Sequence, residues 1–377
     1  MTTKPEPDLK QLRQQIRDVD ESILQLVARR LSLAREVAEA KLARGLPTKD
    51  YQVEKEVIER ARKQGRALGI YEALAEELTQ TLIKYSCLLQ DEHQGRTRQR
   101  VGGKRQRILI VGGLGAMGCW MAQYFDAFGH EVEICDQVEP AEASRFPLIR
   151  ELAVGAARAD IIVLATPISQ TAEVLSRLLE GNHRALIFDI CSLKSPLLPA
   201  IEDAIRAGLR VSSIHPMFGP GVDLLSGRNL ILCETANPRW TDEVAALFTD
   251  STLRLIRMPL AEHDEWMAYI LGLSHLSNLI FAGALAESAP AYSRLAQIGS
   301  TTFNAQVQVA SNVVRENQDL YFEIQQANGL TPVMLAAMAN SLQAYLSAIK
   351  SADRDTFKRL MQKAKNYFEA EKPTTPA

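Results

Sequence analysis

The 377-residue sequence has little cysteine, no strong charge of either sign and no long hydrophobic run. Its five cysteines lack CxxC or Cys/His metal spacing, and three follow apolar, strand-like runs, so we expect reduced, buried thiols. The formal net charge of -2 provides no basic field for nucleic acid. No apolar run approaches the about 18 residues of a membrane span, and MTTKPEPDLK is no signal segment. These absences predict a cytoplasmic protein without metal, nucleic-acid or membrane partners.

Hydrophobic periodicity divides the chain into three parts. Apolar residues recur at steps of three and four with no Gly or Pro over 8–44, which predicts one long helix, and further helical patterns follow at 51–67 and 71–92. The polar stretch 93–106 is rich in Lys and Arg without interleaved aromatic residues, which favours a linker over a nucleic-acid arm. We therefore predict a helical domain at 1–92, followed by this linker.

From residue 107 the pattern changes to short apolar runs that alternate with helical segments, as in RILIVG, EVEICD, IIVLA, ALIFDI, VSSIHP and NLILCE. Such alternation predicts a doubly wound parallel sheet with helices on both faces over 107–258. The remainder, 259–377, is helical again, with segments at 261–289, 292–317 and 331–371. The predicted fold class is therefore multidomain, with all-helical parts on either side of a Rossmann-type α/β domain.

A glycine motif follows the first predicted strand and opens a helix: Gly113-Leu114-Gly115-Ala116-Met117-Gly118. We expect Gly113 to form a tight turn, Gly115 to let the backbone approach a pyrophosphate and Gly118 to let helix and strand pack closely, with the phosphates at the helix N-terminus. Asp136 ends the second strand, where a carboxylate binds the ribose 2′-hydroxyl and repels a 2′-phosphate, which predicts NAD rather than NADP. Thr166-Pro167, after the strand IIVLA, is expected along the cofactor edge.

Three polar residues follow later strands of the predicted sheet. Ser192 and Lys194 lie just past ALIFDI, and His215 lies at the end of the next strand. Ligands of doubly wound sheets bind at the carboxyl ends of strands, so we expect these side chains near the nicotinamide. A lone histidine more often packs in a core than catalyses, but its position beside a rigid His-Pro pair favours the functional interpretation.

Five motifs together resemble the prephenate dehydrogenase family: VGGLGAMG, D-x-x-S-x-K at 189–194, HPMFGP, EHD at 262–264, and His275 in LGLSHLSN. The substrate of that family is a cyclohexadiene with a hydroxyl opposite a carboxylate. The resemblance implies that His215 takes the hydroxyl proton while hydride leaves for NAD+ and CO2 is lost. A neutral imidazole with an unperturbed pKa of about 6.5 suits this role.

The same resemblance assigns further roles. Ser192 would orient His215 or the hydroxyl, and Lys194 and His275 would bind substrate, whereas His263 is expected only at a helix start, beside Glu262 and Asp264. Where relatives have arginines near the ring carboxylate, this chain has Asn304 and Asn312; Arg315, one turn after Asn312, could reach the same pocket. The acidic residue that often follows HPMFGP is Gly221 here, with Asp223 two positions on.

The first helix carries two cations on its apolar stripe, Arg30 and Lys41. Burying a cation is costly unless it is paired, so these positions indicate an anion; the alternative is snorkelling of the charged ends to water. Arg13 precedes Arg30 by 17 residues, about 25 Å along a helix, which is too far for one small ligand. If both arginines bind one dianion, Arg13 comes from a second, antiparallel chain, and the protein is an intertwined homodimer.

These residues resemble the all-helical chorismate mutase family, which is often fused to prephenate dehydrogenase. The resemblance implies that Arg13 and Arg30 hold carboxylates and that Lys41 and Gln90 donate hydrogen bonds to the breaking ether oxygen, which is electrostatic stabilisation without a covalent step. Glu54 and Asp50 would receive the ring hydroxyl, and Ser86 would line the site. One family arginine is replaced by Val53.

Three hypotheses follow. The first is a bifunctional enzyme of tyrosine biosynthesis that takes chorismate to prephenate and then, with NAD+, to 4-hydroxyphenylpyruvate. The second keeps both steps but uses 4-amino-4-deoxy analogues, because Val53, Asn304 and Asn312 all replace cations near the ring. The third is a dehydrogenase whose residues 1–92 serve only dimerisation or regulation. We expect the C-terminal helical domain, 259–377, to bind substrate and to mediate dimerisation.

Overall fold

The computed structural model describes residues 9–44, 51–91, 105–140, 143–181, 183–222, 224–288 and 290–370. Its first three elements are the helices α1 (Leu9–Arg44), α2 (Tyr51–Leu68) and α3 (Glu72–Asp91), which confirm the predicted long helix and its two successors. The α2 helix ends because Gly69 adopts a left-handed φ of 70° and its N–H bonds the carbonyl of Arg66.

An eight-stranded sheet forms the centre of the α/β part. Its strands are β1 (Arg107–Val111), β2 (Glu131–Cys135), β3 (Leu148–Ile149), β4 (Ile161–Leu164), β5 (Leu186–Asp189), β6 (Arg210–Pro216), β7 (Asn229–Glu234) and β8 (Arg254–Pro259). The order is β3-β2-β1-β4-β5-β6-β7-β8, so the first six strands have the 3-2-1-4-5-6 order of dinucleotide-binding sheets. The predicted Rossmann fold is confirmed.

Two details of the sheet differ from the prediction. The sheet is not wholly parallel, because β7 runs antiparallel to β6, to which it is connected without an intervening helix. Strands β3 and β8 were not predicted: β3 has only two residues, and in β8 Arg254 and Arg257 interrupt the apolar pattern at the sheet edge. Charged residues at an edge discourage pairing with another sheet.

The helices of the α/β part are α4 (Ala116–Ala127), α5 (Leu152–Ala156), α6 (Ile168–Leu179), α7 (Leu198–Arg206) and α8 (Pro238–Ala246). Tyr124 and Phe125 of α4 are fully buried, and the Tyr124 ring stacks on Phe248 with centroids 5.2 Å apart. Tyr51 at the start of α2 joins this aromatic cluster, stacked on Phe128 at 5.9 Å. The helical arm is thereby packed onto the α/β part within one compact unit.

A second compact unit contains residues 193–196 and 261–377. Its helices are α9 (His263–Met267), a π-helical segment (Ala268–Leu273), α10 (Ser274–Ala286), α11 (Tyr292–Ile298), α12 (Thr301–Val313), α13 (Gln318–Ala327), α14 (Thr331–Lys350) and α15 (Arg354–Ala370). The α13 helix was not predicted; Asn317 caps it by accepting the N–H of Leu320. The predicted helix at 331–371 is broken where Ala352 adopts a φ of 52°.

One helical stretch, Leu260–Ala286, is long and apolar enough to span a membrane by length and composition alone. It carries His275 and the buried Asn278, whose Oδ1 accepts a hydrogen bond from Gln306 at 2.9 Å. Polar side chains are unfavourable in the interior of a bilayer, and one such stretch, with 17% of its apolar window buried, is weak evidence for a membrane span.

Candidate functional sites

The glycine motif forms a turn with no space for side chains. Gly112, which precedes the motif, takes the left-handed φ of 81°, so the tight turn expected at Gly113 belongs to Gly112 instead. A Cβ on Gly113 would meet the Cβ of Ile134 at 2.5 Å, and one on Gly118 would collide with the carbonyl of Gly112. Gly113 is thus needed for approach to β2 and Gly118 for approach of α4 to the turn.

The turn leads directly into α4, with Gly115 as the N-cap residue in an extended conformation. The backbone N–H groups of Ala116, Met117 and Gly118 lie in the first helical turn, where N–H groups have no acceptor within the helix. Together with the helix dipole they form an anion site of the kind that binds a pyrophosphate. The residues present therefore fit a dinucleotide cofactor.

Asp136 lies just beyond β2, and its carboxylate accepts hydrogen bonds from the backbone N–H groups of Leu114 and Val138, both at 3.0 Å. These bonds fix it beside the glycine turn, and a carboxylate has further lone pairs for a ribose hydroxyl. Arg150 lies near it and bonds the carbonyl of Asp136 at 3.1 Å, while its charge is paired with Glu139 at 2.6 Å.

Thr166 and Pro167 connect β4 to α6, whose N-cap residue is Pro167. The Thr166 hydroxyl lies 2.8 Å from that of Thr171, which is fully buried and also bonds the carbonyl of Pro167 at 2.9 Å. Thr171, which the sequence analysis did not single out, holds the β4–α6 turn in place. Nothing in the local sequence distinguishes it from an ordinary helical threonine.

His215 lies in β6, near its carboxyl end, and is buried with 4% of its surface exposed. Ser192 is half-buried and follows β5, the strand beside β6. The Asp189 carboxylate accepts the N–H of Cys191 at 2.9 Å, which shapes the turn that leads to Ser192. The sheet thus brings Ser192 and His215 to the carboxyl ends of adjacent strands, where a base and a hydroxyl can act on one substrate.

A buried carboxylate organises the segment around Lys194. Asp264 accepts hydrogen bonds from the backbone N–H groups of Lys194 at 2.8 Å and Ser195 at 2.7 Å, and its Oδ1 lies 2.7 Å from Nδ1 of His263. Burial by itself raises the pKa of Asp264, but the hydrogen bonds from His263, Ser195 and Lys194 outweigh it and lower the pKa to about 2. An ionised carboxylate is acceptor only, so His263 donates from Nδ1.

The prediction that His263 belongs to a helix start is confirmed, and the structure adds that its side chain is buried. Asp264 is buried with it. A buried charge needs several hydrogen-bond donors, and the distant 193–196 segment supplies two of them. Sequence spacing could not show this contact, because 69 residues separate Ser195 from Asp264.

His275 lies in the first turn of α10, directly after the π-helical segment. Its ring stacks on Tyr321 of α13 with centroids 4.2 Å apart, and burial lowers the pKa of His275 to about 4. The imidazole is therefore neutral near pH 7. Among the described residues its Nδ1 has no hydrogen-bond partner, and neither has Oε1 of nearby Gln325, whose Nε2 bonds the carbonyl of Gly272 at 3.1 Å.

The positions predicted to recognise the ring carboxylate are exposed. Asn304 bonds the carbonyl of Gly299 at 3.4 Å, and the side chain of Asn312 accepts from Gln308 at 3.2 Å. Arg315 lies just beyond the end of α12, where its backbone N–H bonds the carbonyl of Asn312. Asp223 lies outside the described residues. Within the described residues no group of three His, Cys, Asp or Glu side chains could hold a metal ion.

In the helical arm, Arg30 and Ser86 come together. Nη1 of Arg30 donates to Oγ of Ser86 at 2.7 Å and to the carbonyl of Leu82 at 2.8 Å, which joins α1 to α3. The Arg30 side chain is half-buried and Ser86 is buried. The cation on the apolar stripe is thus held by polar groups rather than released to water.

The other predicted residues of the arm are not all placed with Arg30. Arg13 lies on the same unbroken helix and is exposed, beside Lys10, Gln14 and Arg17. Glu54 is buried, and its Oε1 accepts hydrogen bonds from the Ser226 N–H at 3.1 Å and the Thr252 hydroxyl at 2.9 Å. Asp50 and the side chains of Lys41 and Gln90 lie outside the described residues.

Comparison with known proteins identifies both parts of the chain. The chorismate mutase type II family model matches residues 12–91, and the model of the prephenate dehydrogenase nucleotide-binding domain matches residues 137–257. The T-proteins of Enterobacter agglomerans and Haemophilus influenzae are each 24% identical over 364 residues, which cover 96% of this chain and 93% and 92% of those relatives. A chorismate mutase from Methanocaldococcus jannaschii is 34% identical over 92 residues, which cover 24% of this chain and 93% of that protein.

Two further similarities cover about seven tenths of the chain. A 4-amino-4-deoxyprephenate dehydrogenase from Streptomyces pristinaespiralis is 25% identical over 272 residues, which cover 69% of this chain. The crystal structure of prephenate dehydrogenase from A. aeolicus, in complex with hydroxyphenyl propionate and NAD+, matches with a TM-score of 0.57 at 18% identity, covering 72% of this chain and 100% of that chain. At this identity the structural likeness shows the fold alone.

Proposed function

The chain belongs to the family of bifunctional chorismate mutase/prephenate dehydrogenase enzymes, and we propose that it converts chorismate to prephenate and prephenate to 4-hydroxyphenylpyruvate on the route to tyrosine. The observation that carries the proposal is the similarity to T-proteins, which covers 96% of the chain and both of its parts. The cofactor is NAD+. We assign the first reaction to the helical arm and the second to the carboxyl edge of the sheet.

In the dehydrogenase reaction, His215 accepts the proton of the ring hydroxyl, and Ser192 on the adjacent strand orients the imidazole or the hydroxyl. The N-terminus of α4 would hold NAD+, which would supply the hydride acceptor for the same ring carbon. The ring carboxylate leaves as CO2, which makes the ring aromatic and the step irreversible. His275 is neutral and half-buried, which suits substrate binding by hydrogen bonds rather than by charge. Lys194 is a further candidate for substrate binding, and its backbone is held by Asp264.

In the mutase reaction, no proton is transferred and no covalent intermediate forms. Arg30, fixed by Ser86, binds a substrate carboxylate. Lys41 and Gln90 donate to the ether oxygen, on which negative charge grows as the C–O bond breaks, and Glu54 and Asp50 receive the ring hydroxyl. Fixed donors of this kind stabilise the transition state because they need no reorganisation during the reaction.

The mutase site is completed by a second chain. Arg13 and Arg30 lie on one continuous helix, about 25 Å apart, so one chain cannot place both on a single small dianion. Apolar residues of α1 are exposed along this length: Leu9, Leu12, Ile16, Val19, Ile23 and Leu26. An exposed apolar face of this size indicates an interface. The enzyme is therefore a homodimer in which Arg13 of the partner subunit reaches Arg30.

The enzyme acts in the cytoplasm. The four cysteines with described side chains form no disulfide with one another, and three of them are buried, as in proteins of reducing compartments. Chorismate, prephenate and NAD+ are soluble small molecules, so neither a membrane nor a nucleic acid is needed for either reaction.

The two alternative functions are less well supported. The amino-substituted substrate is not favoured, because the relative that uses it matches 69% of the chain whereas T-proteins match 96%. A purely structural arm is not favoured either, because residues 12–91 match a chorismate mutase family model. Steady-state assays with chorismate, prephenate and amino-prephenate, each with and without NAD+, test the proposal. Chorismate turnover without NAD+ no faster than in buffer would contradict it.

A further inference from the structure

The start of α2 docks on the α/β part through residues three and four positions apart, which share one face of a helix. Tyr51 packs into the aromatic cluster against Tyr124 and Phe128. Lys55 donates from Nζ to the carbonyl of Thr249 at 3.0 Å. Glu54 lies on the same face and is buried, so the residue assigned to the mutase site also belongs to the contact with the NAD-binding domain.

Two donors from that domain converge on one oxygen of Glu54. The Ser226 N–H and the Thr252 hydroxyl reach Oε1 at 3.1 and 2.9 Å. Ser226 belongs to the connection between β6 and β7, and Thr252 to the turn before β8. Two donors from independent segments fix the plane and direction of a carboxylate, which a single bond leaves able to rotate.

Ser226 is itself attached to the mutase helices. Its hydroxyl accepts from Gln80 Nε2 at 2.8 Å and lies 3.3 Å from Oε1 of Glu76, both on α3. Glu76 is paired with Arg62 of α2 at 2.8 Å, and this hydrogen bond lowers the pKa of Glu76. The backbone N–H that orients Glu54 is therefore held in place by the helix that also carries Ser86.

We propose that Thr252 and Ser226 of the NAD-binding domain are positioning residues of the mutase reaction, which hold the Glu54 carboxylate in the orientation that receives the ring hydroxyl of chorismate. This rests on the assignment of Glu54 to the mutase site in the proposed function. A carboxylate that is fixed before substrate binds loses no further rotational freedom during catalysis. Because residues of the NAD-binding domain fix this carboxylate, the mutase site is incomplete without that domain.

The test uses the full-length protein with Thr252→Val, which keeps the shape of the side chain and removes the hydroxyl. Chorismate turnover is measured without NAD+, and prephenate oxidation is measured with it. We expect kcat/KM for chorismate to fall about tenfold, the usual effect of losing one hydrogen bond to a charged group, with kcat for prephenate oxidation unchanged. Thr252→Ser, which keeps the donor, restores mutase turnover.

Thr249→Val is the matched control, because Thr249 lies three residues before Thr252 and its hydroxyl donates to the carbonyl of Ala245. We expect it to change neither activity. Unchanged or faster mutase turnover in Thr252→Val would overturn the proposal, as would a loss of both activities that Thr252→Ser does not restore. A wild-type protein without mutase activity would instead contradict the proposed function, so the two failures are distinguishable.

Discussion

Arg30 donates a hydrogen bond to Ser86 at 2.7 Å across 56 residues of chain, and this contact links the first and third helices of the mutase arm. This contact explains how a cation is accommodated on the apolar stripe of the first helix. The guanidinium is half-buried and donates hydrogen bonds to a hydroxyl and a carbonyl. A cation fixed in this way is suited to bind a substrate carboxylate.

We expect Arg30→Ala to lower kcat/KM for chorismate by about a hundredfold, because hydrogen bonds between charged groups are lost. Prephenate oxidation should be unchanged, since the sheet edge is not altered. The control is Arg29→Ala, which removes the neighbouring exposed arginine of α1 and should leave both activities intact. Equal losses of kcat/KM for chorismate in the two variants would show that the charge of the helix, rather than the Arg30 contact, supports the mutase reaction.

The shared mutase site can be tested by mixing variants. Arg13→Ala and Arg30→Ala homodimers should each be inactive as mutases, because every site lacks one arginine. After the subunits of an equimolar mixture exchange, heterodimers contain one site with both arginines, which restores about a quarter of wild-type mutase sites. Chorismate turnover before and after exchange measures this. If heterodimers are detected by mass spectrometry but chorismate turnover does not return, Arg13 and Arg30 do not act together in one site across the interface.

His215→Asn keeps a polar side chain of similar size but removes the base. We expect kcat for prephenate oxidation to fall by about 10²–10⁴, the usual contribution of a positioned general base. Chorismate turnover without NAD+ provides the internal control for folding, because Arg30 and Ser86 are not altered. NAD+ affinity, measured by fluorescence titration, should also be retained. A variant that oxidises prephenate at the wild-type rate would exclude His215 as the base.

The buried Asp264 makes stability depend on pH. Its pKa is about 2 in the folded protein against an ordinary value of 3.8, so the carboxylate stabilises the fold above about pH 4, and this stabilisation is lost as the pH falls toward 2. We expect Asp264→Asn to lower the free energy of unfolding by on the order of 2 kcal/mol at pH 7. The difference from wild type in urea unfolding should shrink between pH 4 and pH 3.

The matched control for this variant is Glu265→Gln, one residue further along the same helix. Glu265 is exposed and should have little effect on unfolding at any pH. If the Asp264→Asn difference stays constant from pH 7 to pH 3, the carboxylate acts through packing and not through its charge.

Features of the fold that depend on local patterns were predictable from the sequence. The long first helix, six of the eight strands and the glycine motif all follow from periodicity and spacing within one segment. Strand β8 was missed because its arginines interrupt the apolar run, and α13 because its start depends on the cap residue Asn317. The tight turn was placed one residue too late because the two adjacent glycines, Gly112 and Gly113, look equivalent in sequence.

Contacts between distant segments could not be predicted. The Asp264 carboxylate meets the Lys194 backbone across 70 residues, and Glu54 meets Thr252 across 198. Backbone donors in particular leave no signal in the sequence, because every residue except proline carries one. The resemblance to known families indicates the candidate side chains, and the structure shows what holds two of them, Arg30 and Glu54, in place.

The stacking of Tyr51 on Phe128 also bears on how the chain can be divided. A dehydrogenase fragment that began at residue 105 would lose Tyr51 and expose part of the aromatic surface formed by Tyr124 and Phe128. Newly exposed aromatic surface promotes aggregation. Expression of such a fragment would therefore need a polar replacement at Phe128 to keep it in solution. Proteolytic cleavage in the linker would not need this replacement, because the helical arm would still be present with the dehydrogenase part.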